Sequence, residues 1–214
     1  MPVSSLPGNH YSDIIEKMAD KSGPWNGIYV NTILCEFEEF DCAPSNGLAT
    51  VQANYDIGAS WFVQVLGTVS EINGTTQIAS VSEVKHLQNG TMPAAANITT
   101  GKLGTNCTLE AEGYESVLVV GYNITIMSNL NTQTGEIDLN DGTGLTELDD
   151  AIFSGGDHLT DVYGDNLVGQ TLWYLRGICQ WRGDRQISNW EIHPRAEIDV
   201  RNLPLTPFCL PYSH

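Results

Sequence analysis

Short runs of β-branched and aromatic residues, separated by turn residues, dominate the chain from residue 27 onward. In the first half these runs are residues 27–30, 61–69 and 81–87, and this composition favours strands. Asn73-Gly74 is a strong hairpin signal, because both turn residues tolerate a positive φ. The first half is therefore predicted to consist of short antiparallel strands.

A second series of strands is predicted after a connector at residues 89–106, which is rich in Asn, Gly, Thr, Ala and Pro. These strands are residues 116–127, 135–139, 170–181, 185–192 and 196–200. Helical spacing of apolar residues is found at residues 10–20, and a second short helix is predicted near residues 148–153.

The two halves repeat each other at an interval of about 110 residues, which indicates two copies of one domain. Each half has a glycine within its longest strand, at Gly67 and Gly177, followed by a turn and a Gln-Ile pair. A glycine in mid-strand predicts a bulge or a sharp bend, which a small, strongly curved barrel requires.

Several segments resemble the OB-fold regions attached to secreted bacterial nucleases of the endonuclease/exonuclease/phosphatase type, and related bacterial surface proteins. The segments are residues 22–30 (SGPWNGIYV), 67–78 (GTVSEINGTTQI), 139–144 (LNDGTG), and 164–177 followed by 193–200 (HPRAEIDV). The resemblance implies an all-β fold of two tandem OB-fold-like (Greek-key barrel) modules with short helical additions. We expect the first module at residues 1–101, the second at 102–203 and a tail at 204–214.

The chain departs from this pattern in two respects. The helix-like residues 10–20 stand where the resembling proteins have a first strand, so the first barrel is either open or completed by another chain. The acidic and histidine signatures of the nuclease domain are also missing from this sequence. The resemblance thus implies a fold and an extracellular setting, and it does not carry a nuclease activity over to this chain.

The charge of the 214-residue chain disfavours nucleic acid as a partner. It has 9 basic and 26 acidic residues, a net charge of −17, whereas affinity for phosphate comes mainly from Lys and Arg. No apolar run approaches the roughly 20 residues of a membrane span, so no span is predicted. The first residues lack the basic and apolar parts of a signal peptide, so an exported chain would be numbered after processing or belong to a longer precursor.

Sequons and cysteines predict a secreted or cell-surface glycoprotein. The five Asn-X-Thr sequons are at Asn73, Asn89, Asn97, Asn106 and Asn123. Cys35 and Cys42 are predicted to close an acidic loop with a disulfide. Cys179 with Cys209 is the preferred second bridge and Cys107 with Cys209 its competitor. No cysteine spacing matches a zinc site.

The sequence predicts no catalytic site, because its five histidines are scattered and no nucleophile motif is found. His193 is interpreted as a packing residue at a strand end. No cofactor is predicted apart from a structural Ca²⁺. Its candidate ligands are the carboxylates Asp138, Asp141, Asp149 and Asp150, of a type that Ca²⁺ prefers, although the segment is one residue out of register with a calcium loop.

Arginines and aromatic residues meet near residue 180. Trp173 and Trp190 are predicted to lie in the core, and Trp181, Arg182 and Arg185 at a hairpin tip are the candidate ligand-binding residues, because OB-folds bind through stacking aromatic residues and Arg.

Three functions compete. The first is a non-catalytic extracellular assembly subunit that docks onto like chains, as a homo-oligomer or with another partner. The second is a carbohydrate- or polymer-binding accessory module of a larger secreted protein. The third is a DNA-binding accessory domain of a secreted nuclease.

Overall fold

The structure is a computed structural model that describes residues 23–30, 61–72, 74–149, 152, 155–183 and 189–201. It is mostly β, which confirms the predicted all-β class. The strands are β1 (Tyr29–Val30), β2 (Trp61–Ile72), β3 (Thr75–Asn89), β4 (Ala96–Asn97), β5 (Leu118–Ile126), β6 (Ile137–Asn140), β7 (Leu145–Leu148), β8 (Thr171–Arg182), β9 (Asn189–His193) and β10 (Val200–Arg201). The helices are α1 (Thr100–Leu103), α2 (Leu109–Glu112), α3 (Gly155–Tyr163) and a 3₁₀ turn at Glu197–Asp199.

Five strands of the second half close into a barrel in the order β5-β6-β7-β9-β8, with β8 pairing back onto β5. The β7–β9 pair is parallel and the other four pairs are antiparallel. Alternate side chains of each strand point into the barrel, where Trp190 is the largest fully buried residue. Burial of each such large apolar side chain contributes about 1.5–3 kcal/mol, which makes this core the main source of stability.

The barrel extends upstream of residue 102. Strand β4 pairs in parallel with β5, and Ala96, Ile98 and Leu103 belong to the same buried core as Trp190. The boundary expected between residues 101 and 102 therefore falls inside α1, with both sides packed into one core.

The two mid-strand glycines differ, because the strand register shifts beside Gly67 and runs without a shift through Gly177. The register of β2 against β3 shifts between Leu66 and Thr68, where Gly67 alone spans the three β3 residues 80–82. The predicted irregularity thus occurs beside Gly67, but the extra residues belong to β3, where Ser80 has a φ of +49°. At Gly177 of β8, an added Cβ would lie 2.5 Å from the carbonyl oxygen of His193. Only glycine allows this close approach of two backbones inside the barrel wall.

In the described residues the first half forms a three-stranded sheet in the order β1-β3-β2, and not a second closed barrel. The predicted hairpin is confirmed, with Ile72 opposite Thr75 and Gly74 at φ +82°. Strand β3 is longer than the strand predicted at residues 81–87, because it begins directly after the turn at Thr75. The predicted helix at residues 10–20 lies outside the described residues.

The tip of the β2–β3 hairpin packs against the barrel. Gly74 lies against the Trp181 ring so closely that an added Cβ would be 2.6 Å from its Cδ1 atom. The Thr75 hydroxyl donates to the Trp181 carbonyl oxygen at 3.2 Å, and the Thr76 N–H donates to Oε2 of Glu115 at 3.0 Å. Glu115 is buried at this contact, and its Oε1 atom has no hydrogen-bond partner.

Replacing Glu115 with glutamine is expected to stabilise the protein at alkaline pH. Burial, assisted by the negative charges of Glu112 and Glu71, raises the pKa of Glu115 from 4.5 to about 7. The folded state thus binds this proton more tightly than the unfolded state. The stabilisation that this bound proton gives the folded state is fully present below about pH 4.5, and it is lost as the pH rises through about 7.

We therefore expect Glu115→Gln to raise the free energy of unfolding by about 1–3 kcal/mol at about pH 8 and by much less at about pH 5. Urea unfolding at both pH values measures the difference. Glu110→Gln, at an exposed position of α2, is the matched control. An equal effect of Glu115→Gln at both pH values would contradict this account.

A buried ion network holds the 3₁₀ turn and β10 against β8. Asp199, whose side chain is 1% exposed, accepts from Nε of Arg176 at 2.6 Å and from Nε of Arg195 at 2.9 Å. Burial disfavours its charged form, but the two guanidinium groups outweigh this effect and lower the pKa of Asp199.

The region after β6 differs most from the predictions. Leu148 ends strand β7, so the helix predicted at residues 148–153 is wrong at its start, and the observed helix α3 begins at Gly155. Trp190 is buried as predicted, whereas Trp173 is 39% exposed. Among the described residues, no helix has both the length and the apolar character needed to cross a membrane.

Candidate functional site

A cluster of charged residues lies over β7, β8 and β9. Strands β7 and β9 run parallel with Glu147 opposite Glu191 and Leu148 opposite Ile192. Because successive side chains of a strand point to opposite faces, the apolar residues fill the barrel and the acidic residues lie on its outer face. Glu191 is nevertheless only 2% exposed.

Arg182, at the end of β8, joins three carboxylates of this cluster. Its Nη1 atom lies 2.8 Å from Oδ2 of Asp149, 2.9 Å from Oε1 of Glu136 and 3.2 Å from Oε1 of Glu191. These charge-assisted contacts fix the carboxylates and raise the pKa of Arg182, although its burial opposes this change.

His193 lies between two of the same carboxylates. Its Nδ1 atom is 3.3 Å from Oδ1 of Asp149, and its Nε2 atom is 3.5 Å from Oε2 of Glu191. Neither ring nitrogen makes a hydrogen bond of acceptable geometry. Burial alone lowers the pKa of His193, but the two carboxylates outweigh it and raise the pKa to about 9.

Glu147 lies at the outer side of the cluster. Burial, together with the negative charge of Glu136, raises its pKa to about 7, although Asn189 donates a hydrogen bond to it. The carbonyl oxygen of the same Asn189 amide is buried without a hydrogen-bond partner.

Two overlapping groups of side chains in this cluster have the spacing of metal ligands. The first is Asp149, Glu191 and His193, all buried, and the second is Glu136, Glu147 and Glu191. Within each group, one ligand atom from every residue lies within 4.8 Å of the others. Chemically, the cluster could hold a divalent cation or keep a proton on His193.

Of the four carboxylates predicted to bind Ca²⁺, the three that the structure describes do not share one site. Asp149 lies in the charged cluster, Asp138 is on β6 opposite Glu147, and Asp150 lies outside the described residues. Asp141 occupies the β6–β7 turn, at the other end of β7 from Asp149.

The Asp141 carboxylate is already engaged by protein donors. The N–H and hydroxyl of Thr100 donate to it at 3.0 and 2.7 Å, and the hydroxyl of Thr143 at 2.6 Å. Burial opposes its charged form, but these hydrogen bonds prevail and lower the pKa of Asp141. Its role in the structure is to join α1 to the β6–β7 turn.

The predicted ligand-binding residues do not form an exposed recognition surface in the described part of the chain. Trp181 is partly buried and packs against Trp190, with ring centroids 5.2 Å apart. Arg182 is engaged in the charged cluster. Arg185 lies outside the described residues. The prediction placed a hairpin tip in solvent, but the tip of the β2–β3 hairpin covers Trp181.

The predicted bridge from Cys179 to Cys209 finds no support, because Cys179 is a buried free thiol. Cys107 is also a free thiol, and it donates to Glu112 at 3.2 Å. Cys35, Cys42 and Cys209 lie outside the described residues, so the bridge between Cys35 and Cys42 stays a prediction.

The sequons Asn89, Asn97, Asn106 and Asn123 all carry exposed side chains, and Asn73 lies outside the described residues. Their glycosylation stays a prediction.

Sequence reasoning missed the charged cluster, apart from naming Asp149 and Arg182 for other roles. Its members come from four segments between residues 136 and 193, which the pairing of β7 with β6 and of β9 with β7 and β8 brings together. One local signal was present in β9, whose sequence NWEIH alternates polar and apolar residues. The interpretation of His193 as a packing residue captured its burial and missed its charged neighbours.

Comparison with known proteins yields no relative for this chain, since no family model, no curated protein and no solved structure matches it.

Proposed function

We propose that this chain is a non-catalytic extracellular assembly subunit built of OB-like modules, which docks onto like chains through strand β2. The barrel supports the OB-like assignment of the second module. It is a five-stranded closed sheet with a three-strand meander β5-β6-β7, a helix α3 before the fourth strand, and a hairpin β8-β9 that pairs back onto both β5 and β7. An OB-fold is a five-stranded Greek-key barrel of this kind.

The observation that carries the proposal is the exposed apolar edge of the first sheet. In the sheet that the structure describes, β3 is the strand neighbour of β2, and β2 is an outer strand. Val69 and Ile72 of β2 are 54% and 44% exposed, and Leu87 of β3 is 51% exposed. A long edge strand with exposed apolar side chains is a template for pairing with another chain, through main-chain hydrogen bonds and apolar burial.

The net charge of −17 predicts how salt should affect this self-association. Like chains of this charge repel one another at long range, and salt screens that repulsion. Contact through an apolar edge should therefore become stronger, and not weaker, as the salt concentration rises.

The test is sedimentation velocity of the full chain over a roughly hundredfold range of concentration, at low and at moderate salt. We expect reversible self-association that salt strengthens and that Val69→Lys weakens by about tenfold or more, because a lysine blunts an edge strand. Val168→Lys, at a site that is 50% exposed in the loop before β8, is the matched control and should leave association unchanged. A wild-type chain that stays monomeric throughout, or equal effects of the two lysines, would refute the proposal.

The accessory-module alternatives have less support. Carbohydrate or polymer binding was expected at Trp181 and Arg182, and both side chains are engaged within the protein. DNA binding is disfavoured by the acidic surface.

A further inference from the structure

We propose that Asp149, Glu191 and His193 form a binding site for one divalent transition-metal ion of the Zn²⁺ class. This inference goes beyond the proposed function, which requires no metal. The three residues are 2%, 2% and 4% exposed, and one ligand atom from each lies within 4.8 Å of the other two. Contraction of this triangle would place a central ion at about 2.0–2.2 Å from all three atoms, the bond length that Zn²⁺ makes with nitrogen and oxygen.

His193 provides the observation that is independent of the acidic cluster. Its side chain is 5% exposed, yet both ring nitrogens lack a hydrogen bond, although each faces a carboxylate oxygen at 3.3 or 3.5 Å. A buried polar atom without a hydrogen bond costs about 1–3 kcal/mol. A metal ion bonded to one ring nitrogen would remove part of this cost and would also neutralise the carboxylate beside it.

Arg182 orients both carboxylates toward the imidazole, with Asp149 facing Nδ1 and Glu191 facing Nε2. Arg182 contacts Oδ2 of Asp149 and Oε1 of Glu191, whereas the other oxygen of each carboxylate, Oδ1 and Oε2, faces His193. Arg182 thus acts as a positioning residue that fixes the two carboxylates from one side. Such orientation of metal ligands by outer residues is common in metal sites.

The charge of the cluster also favours a cation. Four carboxylates meet here, from Glu136, Glu147, Asp149 and Glu191, and the described cations that contact them are Arg182 and His193. This concentration of carboxylates around one imidazole attracts cations, and a divalent ion can be shared by several of these groups.

The ligand set identifies the class of metal. Imidazole with carboxylates suits Zn²⁺ and similar transition metals, whereas Ca²⁺ and Mg²⁺ prefer oxygen ligands alone. Three protein ligands leave a fourth position of a tetrahedral site for water or another group. The inferred site therefore differs in both metal and ligands from the Ca²⁺ site predicted from the sequence.

The experiment is a titration of the full chain, treated with chelator and dialysed, with Zn²⁺ and separately with Ca²⁺ by isothermal titration calorimetry. We expect one equivalent of Zn²⁺ to bind and to raise the melting temperature, with no such effect of Ca²⁺ at equal concentration. His193→Gln should weaken Zn²⁺ binding by about 100-fold or more, since even outer-shell changes cost 10–100-fold.

Two matched variants control for histidines and thiols outside the site. His158→Gln changes a histidine of α3 that belongs to neither ligand group, and Cys107→Ser removes an exposed thiol. Both should bind Zn²⁺ like the wild type. Should His193→Gln fail to fold, Glu191→Gln serves instead, because it removes a ligand and relieves repulsion while keeping the side-chain size.

Absence of Zn²⁺ binding by the wild type would overturn the inference and leave a cluster of protonated His193 with its carboxylates. Binding that survives both His193→Gln and Glu191→Gln would overturn it too. Neither result bears on self-association through β2, so this inference and the proposed function can fail separately.

Discussion

Asp199→Asn is expected to lower the free energy of unfolding by about 3–5 kcal/mol, the cost of breaking a buried ion pair by removing one partner. Asp199 is held by Arg176 and Arg195 and its side chain is 1% exposed. An asparagine of the same size would leave both guanidinium groups in place without a compensating negative charge. Chemical denaturation near neutral pH measures the loss.

The effect of Asp199→Asn should depend on pH in a defined direction. The two arginines lower the pKa of Asp199 from its ordinary 3.8, even though burial opposes ionisation. The contribution of ionised Asp199 to the free energy of unfolding is therefore present above about pH 3.8. It is lost as the pH falls through the lower pKa of the folded state. The difference between wild type and variant should shrink in acid. Glu197→Gln, at an exposed position of the same 3₁₀ turn, is the control and should change stability by less than about 0.5 kcal/mol. A similarly small effect of Asp199→Asn would mean that the network does not stabilise the fold.

Gly177→Ala is expected to destabilise the barrel by about 3 kcal/mol, at the upper end of the range for overpacking. The added methyl group would lie 2.5 Å from the carbonyl oxygen and 2.7 Å from the carbonyl carbon of His193. These atoms belong to the backbone, so relief requires moving β9 away from β8. Thr171→Ala, at the exposed start of the same strand, is the control.

Thermal or urea unfolding of Gly177→Ala gives the magnitude of the effect, and the structure also predicts where the damage occurs. Displacement of β9 would move His193 and Glu191 relative to Asp149. The geometry of the charged cluster should therefore change together with the free energy of unfolding. Equal unfolding curves for Gly177→Ala and wild type would show that the two strands can separate at little cost.

The sequence predicted most reliably those elements that depend on local pattern. Long β-rich runs located β2, β5 and β8, and the Asn-Gly turn identified the first hairpin, because strand propensity and turn chemistry act over a few residues. Strand β7 was missed because its four residues, LTEL, sit among Asp and Gly residues that favour turns. Helix α3 was misplaced because it begins with two glycines, which disfavour helices.

The candidate site could be predicted only in part for a different reason. Asp149 and Glu191 are 42 positions apart, and the parallel pairing of β7 with β9 brings them together. Such non-local pairing follows from the closure of the whole barrel and produces no local pattern in the sequence. Arg182 was noticed for its charge, but sequence reasoning assigned that charge to an external ligand, since the carboxylates that surround it could not be located.

Strand β4 has a practical consequence for anyone who expresses the second half alone. A fragment that starts at residue 102 would lose the segment whose Ile98 N–H donates to the Val120 carbonyl oxygen at 3.0 Å. It would also lose Thr100, which joins the β6–β7 turn through Asp141. In such a fragment the edge of β5 that pairs with β4 would be exposed to solvent, and the fragment would be prone to aggregate. Cloning boundaries for this half belong before residue 96.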